Sequence, residues 1–388
     1  MPLDLKPRMH NTVFAFRGYN ISNQGRSAEL LAHPKFGPVV EQMLREAGEV
    51  CADLTHQPCD LVARVRQSQP SILETYAQDL AQIVALNLAQ IRLLEEFYDV
   101  PFTTASMTIG YSLGEIAALA AGGVFRMSDL LVPVLSMARD CAELADDVTL
   151  GVLFSRGAEL DLSAVERLCL ELTIEDRGII AVSTYLSPNS VLLMGEGSTV
   201  RRFAERMPHV LGEGVYLREN RHRWPPLHTP ILWRRNIPNR AGLLMLRMAG
   251  GLTAPRPRVL SLVTGRPEYT DHNARELLVR WIDHPQRLWD AVQATLSAGT
   301  EVVVHVGPEP NLIPATFRRL AFNVAAQLNA RTWSALGLRA MRRIWRPWLA
   351  KWLSTRSALL RAPFVEHVTL EDWLLDPGPR TINPPLRT

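Results

Sequence analysis

The sequence predicts an α/β fold: a core with a parallel sheet, an inserted βαββαβ (ferredoxin-like) small subdomain, and a basic, tryptophan-rich helical C-terminal extension. Three observations predict it. Short apolar runs such as Thr12–Phe16 and Glu301–Val306 alternate with long stretches of helical period, and the second run is apolar on both faces, as a central parallel strand must be. Between residues 150 and 222 the rhythm changes to strand, helix, strand, strand, helix, strand. Finally, Gly110-Tyr111-Ser112-Leu113-Gly114 sets a serine between two glycines where a strand gives way to an Ala/Leu-rich helix. Glycines at that spacing permit a sharp turn and close helix–sheet packing, which presents the serine hydroxyl at a helix N-terminus.

Thr12–Phe16 reads as a buried strand, after which Arg17-Gly18-Tyr19-Asn20 turns away. Much of 36–62 and all of 71–98 read as helix. The second carries Leu73, Tyr76, Leu80, Ile83, Val84, Ile91 and Leu94 at helical spacing, with Asn87 the polar member of the stripe. Gln69-Pro70-Ser71 starts it, proline standing where an N–H would be orphaned anyway. Thr104–Ile109 is a weak strand leading to Ser112; Leu113–Ala121 is a helix stopped by Gly122-Gly123, and Ser128-Asp129 caps another through Leu144.

The inserted unit comprises strands at Gly151–Phe154, Gly178–Thr184, Ser190–Met194 and Gly214–Leu217, with helices at Ser163–Leu172 and Val200–Met207. The larger pattern resumes at Leu227-His228-Thr229-Pro230. Arg258–Thr264 reads as a strand, Ala274–Ala298 as mostly helical, and Gly307-Pro308-Glu309-Pro310 as a turn at a strand's carboxyl end. The expected division is 12–149 with 223–328 for the core, 150–222 for the subdomain and 329–388 for the extension.

Composition bounds the rest. The chain has 388 residues, 47% of them hydrophobic, enough for two or three domains or one large domain with an insertion. A net charge of +3 makes no case for nucleic-acid binding, and Lys6, Lys35 and Lys351 are the only lysines. Cys51, Cys59, Cys141 and Cys169 are scattered without a C-x-x-C pair, which argues against a disulfide framework or a metal site and for reduced thiols in a cytoplasmic protein. Met1–Asn11 has no apolar core of signal-peptide length, and no uncharged apolar run reaches membrane-spanning length. His222 lies in the polar run 218–223 and reads as solvated; His305 reads as a core histidine.

Several segments match one family in one order. Val13-Phe14-Ala15-Phe16-Arg17-Gly18, Gln69-Pro70, Gly110-Tyr111-Ser112-Leu113-Gly114-Glu115, Ala121-Gly122-Gly123-Val124, Ser187-Pro188, Leu227-His228-Thr229-Pro230, Leu277-Leu278-Val279-Arg280 through Pro285, and Val306-Gly307-Pro308 are collinear. Over roughly residues 12–325 the chain resembles the malonyl-CoA:acyl-carrier-protein transacylases and the acyltransferase domains of polyketide synthases. The resemblance implies an α/β-hydrolase-like core and transfer of a malonyl or related acyl group from coenzyme A to the phosphopantetheine thiol of an acyl carrier protein, for fatty-acid or polyketide synthesis, without cofactor or metal. It implies Ser112 as nucleophile, His228 as base, backbone N–H groups of Leu113 and Tyr19 as the oxyanion hole, and the Trp281 carbonyl as the group that orients the histidine. It places Gln69 and Tyr111 at the substrate.

This sequence departs from the family pattern at Tyr111, where the family has histidine, at Tyr19, where it has glutamine, and at Leu186, where it often has asparagine. The arginine that grips the malonyl carboxylate in the family falls on Met137 when counted without gaps. Arg139 lies two residues on, roughly 200° round a helix. Met137 and Arg139 therefore stand as alternatives, and with them a neutral or a charged acyl group. A thioester hydrolase on the same scaffold and a degenerate carrier-docking module are the competing functional readings. Residues 331–361 hold eight arginines and lysines, four tryptophans and no acidic residue. The segment reads as a helix packed on the core, a docking surface for an acidic carrier protein, or an interfacial helix making peripheral membrane contact.

Overall fold

The computed structural model describes residues 3–156, 159–314, 316–318, 320–321 and 358–376. The main sheet holds β1 (Thr12–Phe16), β2 (Met107–Gly110), β7 (Val259–Leu260), β8 (Val302–Val306) and β9 (Glu366–Thr369) in the order β7-β2-β1-β8-β9, every pair parallel. Successive residues of β1 point to opposite faces, and both faces are covered. Phe14 and Phe16 join one core, with the helices Gly37–Thr55, Tyr76–Tyr98, Leu113–Ala121 and Met127–Leu144; Val13 and Ala15 join another, with the helix Leu288–Ser297. Burial on both sides explains why β1 and β8 are fully buried and read as largely apolar runs.

The inserted unit forms its own antiparallel sheet in the order β4-β5-β3-β6, from β3 (Val148–Ser155), β4 (Ile180–Ser187), β5 (Ser190–Glu196) and β6 (Val215–Glu219). The helices Leu162–Ile174 and Thr199–Leu211 close a separate small core around Leu168, Val191, Leu193 and Phe203. It is fastened to the main body through β4: the Gln286 N–H donates to the Ser183 carbonyl (2.8 Å) and the Tyr185 N–H to the Gln286 carbonyl (2.9 Å).

Several local expectations change. The helix expected from Ser71 begins at Tyr76, after a short 3-10 turn at Leu73–Thr75, and the helix expected to be capped at Ser128 starts at Met127 without a side-chain cap. The strand expected over Arg258–Thr264 shrinks to Val259–Leu260, because the chain turns so that Leu262 N–H can meet the buried Glu115. The helical stretch 274–298 divides into Ala274–Trp281 and Leu288–Ser297, with Pro285 in the break. The stretch 36–62 divides at His56, which takes a left-handed conformation. Ile237–Arg247, unassigned from sequence, is helical. His305 is buried, its Nε2 2.9 Å from His367 Nδ1, and His222 is exposed.

Within the expected extension, residues 358–376 return to the main body. β9 pairs with β8, Leu370 and Leu374 enter the core, and Arg361 is buried, donating to the Leu296 and Thr300 carbonyls (3.1 Å each). β9 is only four residues long and mostly polar or short; its burial depends on the neighbouring strand, so its local sequence carries no strand signal. The rest of the basic segment, 331–357, with its docking and lipid readings, lies outside the described residues. Among the described residues no helix is long and apolar enough to cross a membrane, and no group of His, Cys, Asp or Glu could hold a metal ion.

Candidate active site

β2 ends at Gly110, and the chain turns through Tyr111 and Ser112 into the helix Leu113–Ala121. Ser112 sits at φ 52° and ψ −118°, a backbone conformation that costs an L-residue energy and persists only where the surroundings enforce it. Those surroundings are the two glycines. A Cβ on Gly110 would lie 2.2 Å from the Gly114 carbonyl carbon, and one on Gly114 would lie 2.1 Å from the Phe16 carbonyl oxygen. The helix is therefore pressed against β1, and the serine is lifted out at its N-terminus.

Ser112 Oγ is 2.7 Å from His228 Nε2, and His228 Nδ1 is 2.7 Å from the Trp281 carbonyl oxygen. A carbonyl only accepts, so Nδ1 carries the proton and the Nε2 lone pair faces the serine hydroxyl. His228 is held by its own backbone as well: it has φ 63°, and its N–H donates to the Ile282 carbonyl at 2.9 Å. Burial lowers the imidazole to about 4, against a smaller opposite effect from the Trp281 carbonyl, so the ring is neutral at pH 7. Trp281 grips both partners. Its carbonyl orients the imidazole, its ring meets His228 edge-on at 5.1 Å, and its Nε1–H donates to the Ser112 carbonyl at 3.1 Å.

The two backbone N–H groups singled out from sequence lie on the loop and helix that flank Ser112. Among the described residues neither the Leu113 N–H nor the Tyr19 N–H has an acceptor. Arg17 fixes the Tyr19 loop: its buried guanidinium donates to the Gly18 carbonyl (2.8 Å), to Asn23 Oδ1 (2.6 Å) and to the Pro308 carbonyl. Burial lowers that guanidinium to about 10, still charged at neutral pH. Asn87 Nδ2 donates to the Arg17 carbonyl (3.3 Å), which accounts for the one polar member of that helix's apolar stripe. Gly307, at φ 99°, must lack a side chain because a Cβ there would lie 2.0 Å from Asn87 Oδ1.

A small cavity of about 10 Å³ opens beside Ser112, on the scale of a single water. Met137, Tyr76, Leu80, Val134 and Leu227 line it, together with the Tyr19 ring, which packs edge-on against Tyr76 at 4.8 Å. Of the two alternatives on the helix Met127–Leu144, Met137 is the one at the cavity. Arg139 is not: its side chain is 90% exposed and pairs with Glu143 at 3.0 Å, because two residues along a helix carry it to the outer face. Gln69 does not reach the cavity either. Its amide bonds Gln67 (2.9 Å) and its carbonyl accepts from Gln24 (2.7 Å), because the loop before the long helix turns outward there. Tyr111 faces the subdomain, its hydroxyl 3.0 Å from Thr184 Oγ1.

Sequence reasoning missed Gln286. It is fully buried, its Oε1 accepts from the Ser112 N–H at 3.3 Å, and its Nε2 stands 3.3 Å from His228 Nδ1. Its place directly after Pro285, in a break between helices, was the available signal. Glu115 is the other buried polar group of the motif. It accepts from Leu262 N–H (3.0 Å) and from the Tyr269 hydroxyl (2.7 Å), and burial raises its carboxyl to about 7.

No family model matches the chain. Among curated proteins it is similar to the spectinabilin polyketide synthase system protein NorB of Streptomyces orinoci, 26% identical over 309 residues, and to polyketide synthase GfsA of Streptomyces halstedii, 25% identical over 311. Each match takes in 77% of this chain but only 13% and 4% of those proteins, so the chain spans a small part of their length. Among solved structures it is similar to FabD of Acinetobacter baumannii (TM-score 0.64, 16% identity, 80% of this chain and 91% of that one). It is similar also to the malonyl-CoA:acyl carrier protein transacylase FabD of Xanthomonas oryzae pv. oryzae (0.64, 22%, 80% and 91%). The acyltransferase domain from the second module of the salinomycin polyketide synthase superposes at 0.62, with 20% identity over 79% of this chain and 65% of that one. The chain thus has the fold of malonyl-CoA:acyl carrier protein transacylases and polyketide synthase acyltransferase domains.

Proposed function

We propose that this chain is an acyltransferase that moves an acyl group from a coenzyme A thioester to the phosphopantetheine thiol of an acyl carrier protein through an acyl-Ser112 intermediate. The observation that carries the reading is the relay Ser112 Oγ, His228 Nε2, His228 Nδ1 and Trp281 carbonyl, with 2.7 Å at each hydrogen bond.

In the proposed reaction Ser112 Oγ attacks the thioester carbonyl carbon while His228 Nε2 takes its proton. The tetrahedral oxyanion is stabilised by the Leu113 N–H at the helix N-terminus and the Tyr19 N–H on the loop after β1. Collapse breaks the C–S bond, and His228 returns the proton to the departing coenzyme A thiolate. The carrier thiol then gives its proton to His228, attacks the acyl-serine, and the C–O bond breaks as Ser112 is reprotonated. A carbonyl suffices as the third member because it holds the Nδ1–H tautomer without supplying charge. Two bulky thiols cannot occupy one site together, so a covalent relay with ping-pong kinetics follows. Every proton and bond in this scheme is handled by side chains and backbone, so it calls for no cofactor.

The test is intact-mass spectrometry of the protein mixed with acyl-CoA thioesters, followed by addition of phosphopantetheinylated carrier protein. A stoichiometric acyl adduct that is absent in Ser112→Ala and discharged by the carrier supports transfer. Release of free acid at the same rate without carrier replaces it with the hydrolase reading. Absence of any adduct leaves the docking module.

A further inference from the structure

We infer that the acyl group carried on Ser112 is uncharged and short, and that Met137 with Tyr76 forms the end wall of its chamber. This rests on the acyltransferase reading and specifies its substrate class.

Apart from Ser112 itself and the Cys141 thiol, the chamber is walled by apolar and aromatic side chains, and among the described residues no lysine or arginine lines it. Arg139 is separated from the chamber by roughly half a helical turn, since Met137 occupies the inner face of the same helix. It is also engaged with Glu143. His228 offers no cation, because Nε2 faces Ser112 and Nδ1 is committed to the Trp281 carbonyl. Tyr19 and Tyr76 contribute phenols, each able to give one hydrogen bond but no positive charge. An acyl carboxylate placed here would be desolvated without a counter-ion, the arrangement proteins avoid most strongly. An acetyl or propionyl group carries no such penalty.

Length follows from the end wall. At about 10 Å³ the chamber must yield to admit even a short acyl tail. Beyond Met137 and Tyr76, which line both spaces, lies an open groove of about 770 Å³ bordered by Ala241 and Leu244 and by the charged side chains of Arg139, Asp140, Glu143 and Arg240. Methionine is the side chain best able to shift against such a boundary. Met137 therefore sets how far a chain can extend, and its truncation joins chamber to groove.

The experiment measures rates of Ser112 acylation by intact mass for acetyl-, propionyl-, hexanoyl-, malonyl- and methylmalonyl-CoA, on the full chain and on Met137→Ala. The expected result is acylation by acetyl or propionyl at least ~100-fold faster than by malonyl or methylmalonyl, from the missing counter-ion. In Met137→Ala the hexanoyl-to-acetyl ratio should rise at least ~10-fold, since several methylenes gain room. Malonyl acylation equal to or faster than acetyl in the wild type overturns the inference and leaves the acyltransferase reading standing. An unchanged hexanoyl-to-acetyl ratio in a folded Met137→Ala variant overturns the end wall. No acylation by any thioester removes both the inference and the reading beneath it. The wild-type panel decides the charge question whether or not the variant folds.

Discussion

Gly114→Ala tests how Ser112 is held. The new Cβ would stand 2.1 Å from the Phe16 carbonyl oxygen, 2.7 Å from the Phe16 carbonyl carbon and 2.8 Å from the Arg17 carbonyl oxygen. Ordinary contact begins at 3.4 Å, so the helix Leu113–Ala121 must move off β1 by about 1 Å. All three obstacles are backbone, two of them in or against a strand hydrogen-bonded on both sides, so none can swing aside as a side chain would. Strain of this kind falls at the upper end of overpacking costs, about 3 kcal/mol, or a melting temperature lower by roughly 4 °C for a chain of this size. The same displacement carries Ser112 away from a hydrogen bond of 2.7 Å to His228. A misplacement of about 1 Å at a reacting atom costs on the order of 100-fold in rate. Differential scanning calorimetry reads the first effect and acylation kinetics by intact mass the second. A variant that melts with the wild type and acylates at the wild-type rate would refute the claim that close helix–sheet contact positions the serine.

Three further outcomes follow from buried groups. Gln286→Leu keeps the backbone hydrogen bonds to Ser183 and Tyr185 but deprives the Ser112 N–H of its acceptor; a loss of about 1–2 kcal/mol in stability and ~10-fold in acylation rate is expected, and chemical denaturation with acylation kinetics measures both. Glu115 has its folded pKa raised to about 7, so the stability it contributes is present below its unfolded value and is lost as pH rises through 7. Glu115→Gln should therefore gain relative to the wild type between pH 5 and pH 8, by an amount on the order of 3 kcal/mol, and parallel denaturation curves at the two pH values would contradict this. Because burial holds His228 down to about 4, its neutral form persists through pH 5, and the acylation rate of the free protein should stay flat from pH 8 to about 5 before falling. A profile that already halves near pH 6.5, the ordinary histidine value, would show that the ring is not desolvated as described.

What could be read along the chain was what depends on neighbours in sequence. The largely apolar runs of β1 and β8, the alternation and turns of the inserted unit, and the glycine spacing around Ser112 are local patterns with local physical meaning. β9 was not legible because its four residues become a strand only against β8, across about sixty intervening residues. The Trp281 carbonyl was reached only through the family resemblance, since a backbone carbonyl looks the same in sequence whatever the side chain, and Gln286, in the break at 282–287, was not reached at all. Arg139 could not be separated from Met137 by counting alone, since either register of a kinked helix with Pro133 inside it was geometrically open.

Local sequence pattern was enough for a parallel α/β core with an inserted βαββαβ unit and a serine raised on a two-glycine turn, and the family resemblance added a histidine partner. Which groups meet at that serine depended on the packing. It brought Trp281 and Gln286 onto Ser112 and His228, turned Arg139 to solvent, and set Met137 against the cavity. The physical reason is that chain periodicity fixes which face of an element is apolar, whereas the angle and depth at which elements pack fix which atoms touch. A chamber without a cation is a property of that packing.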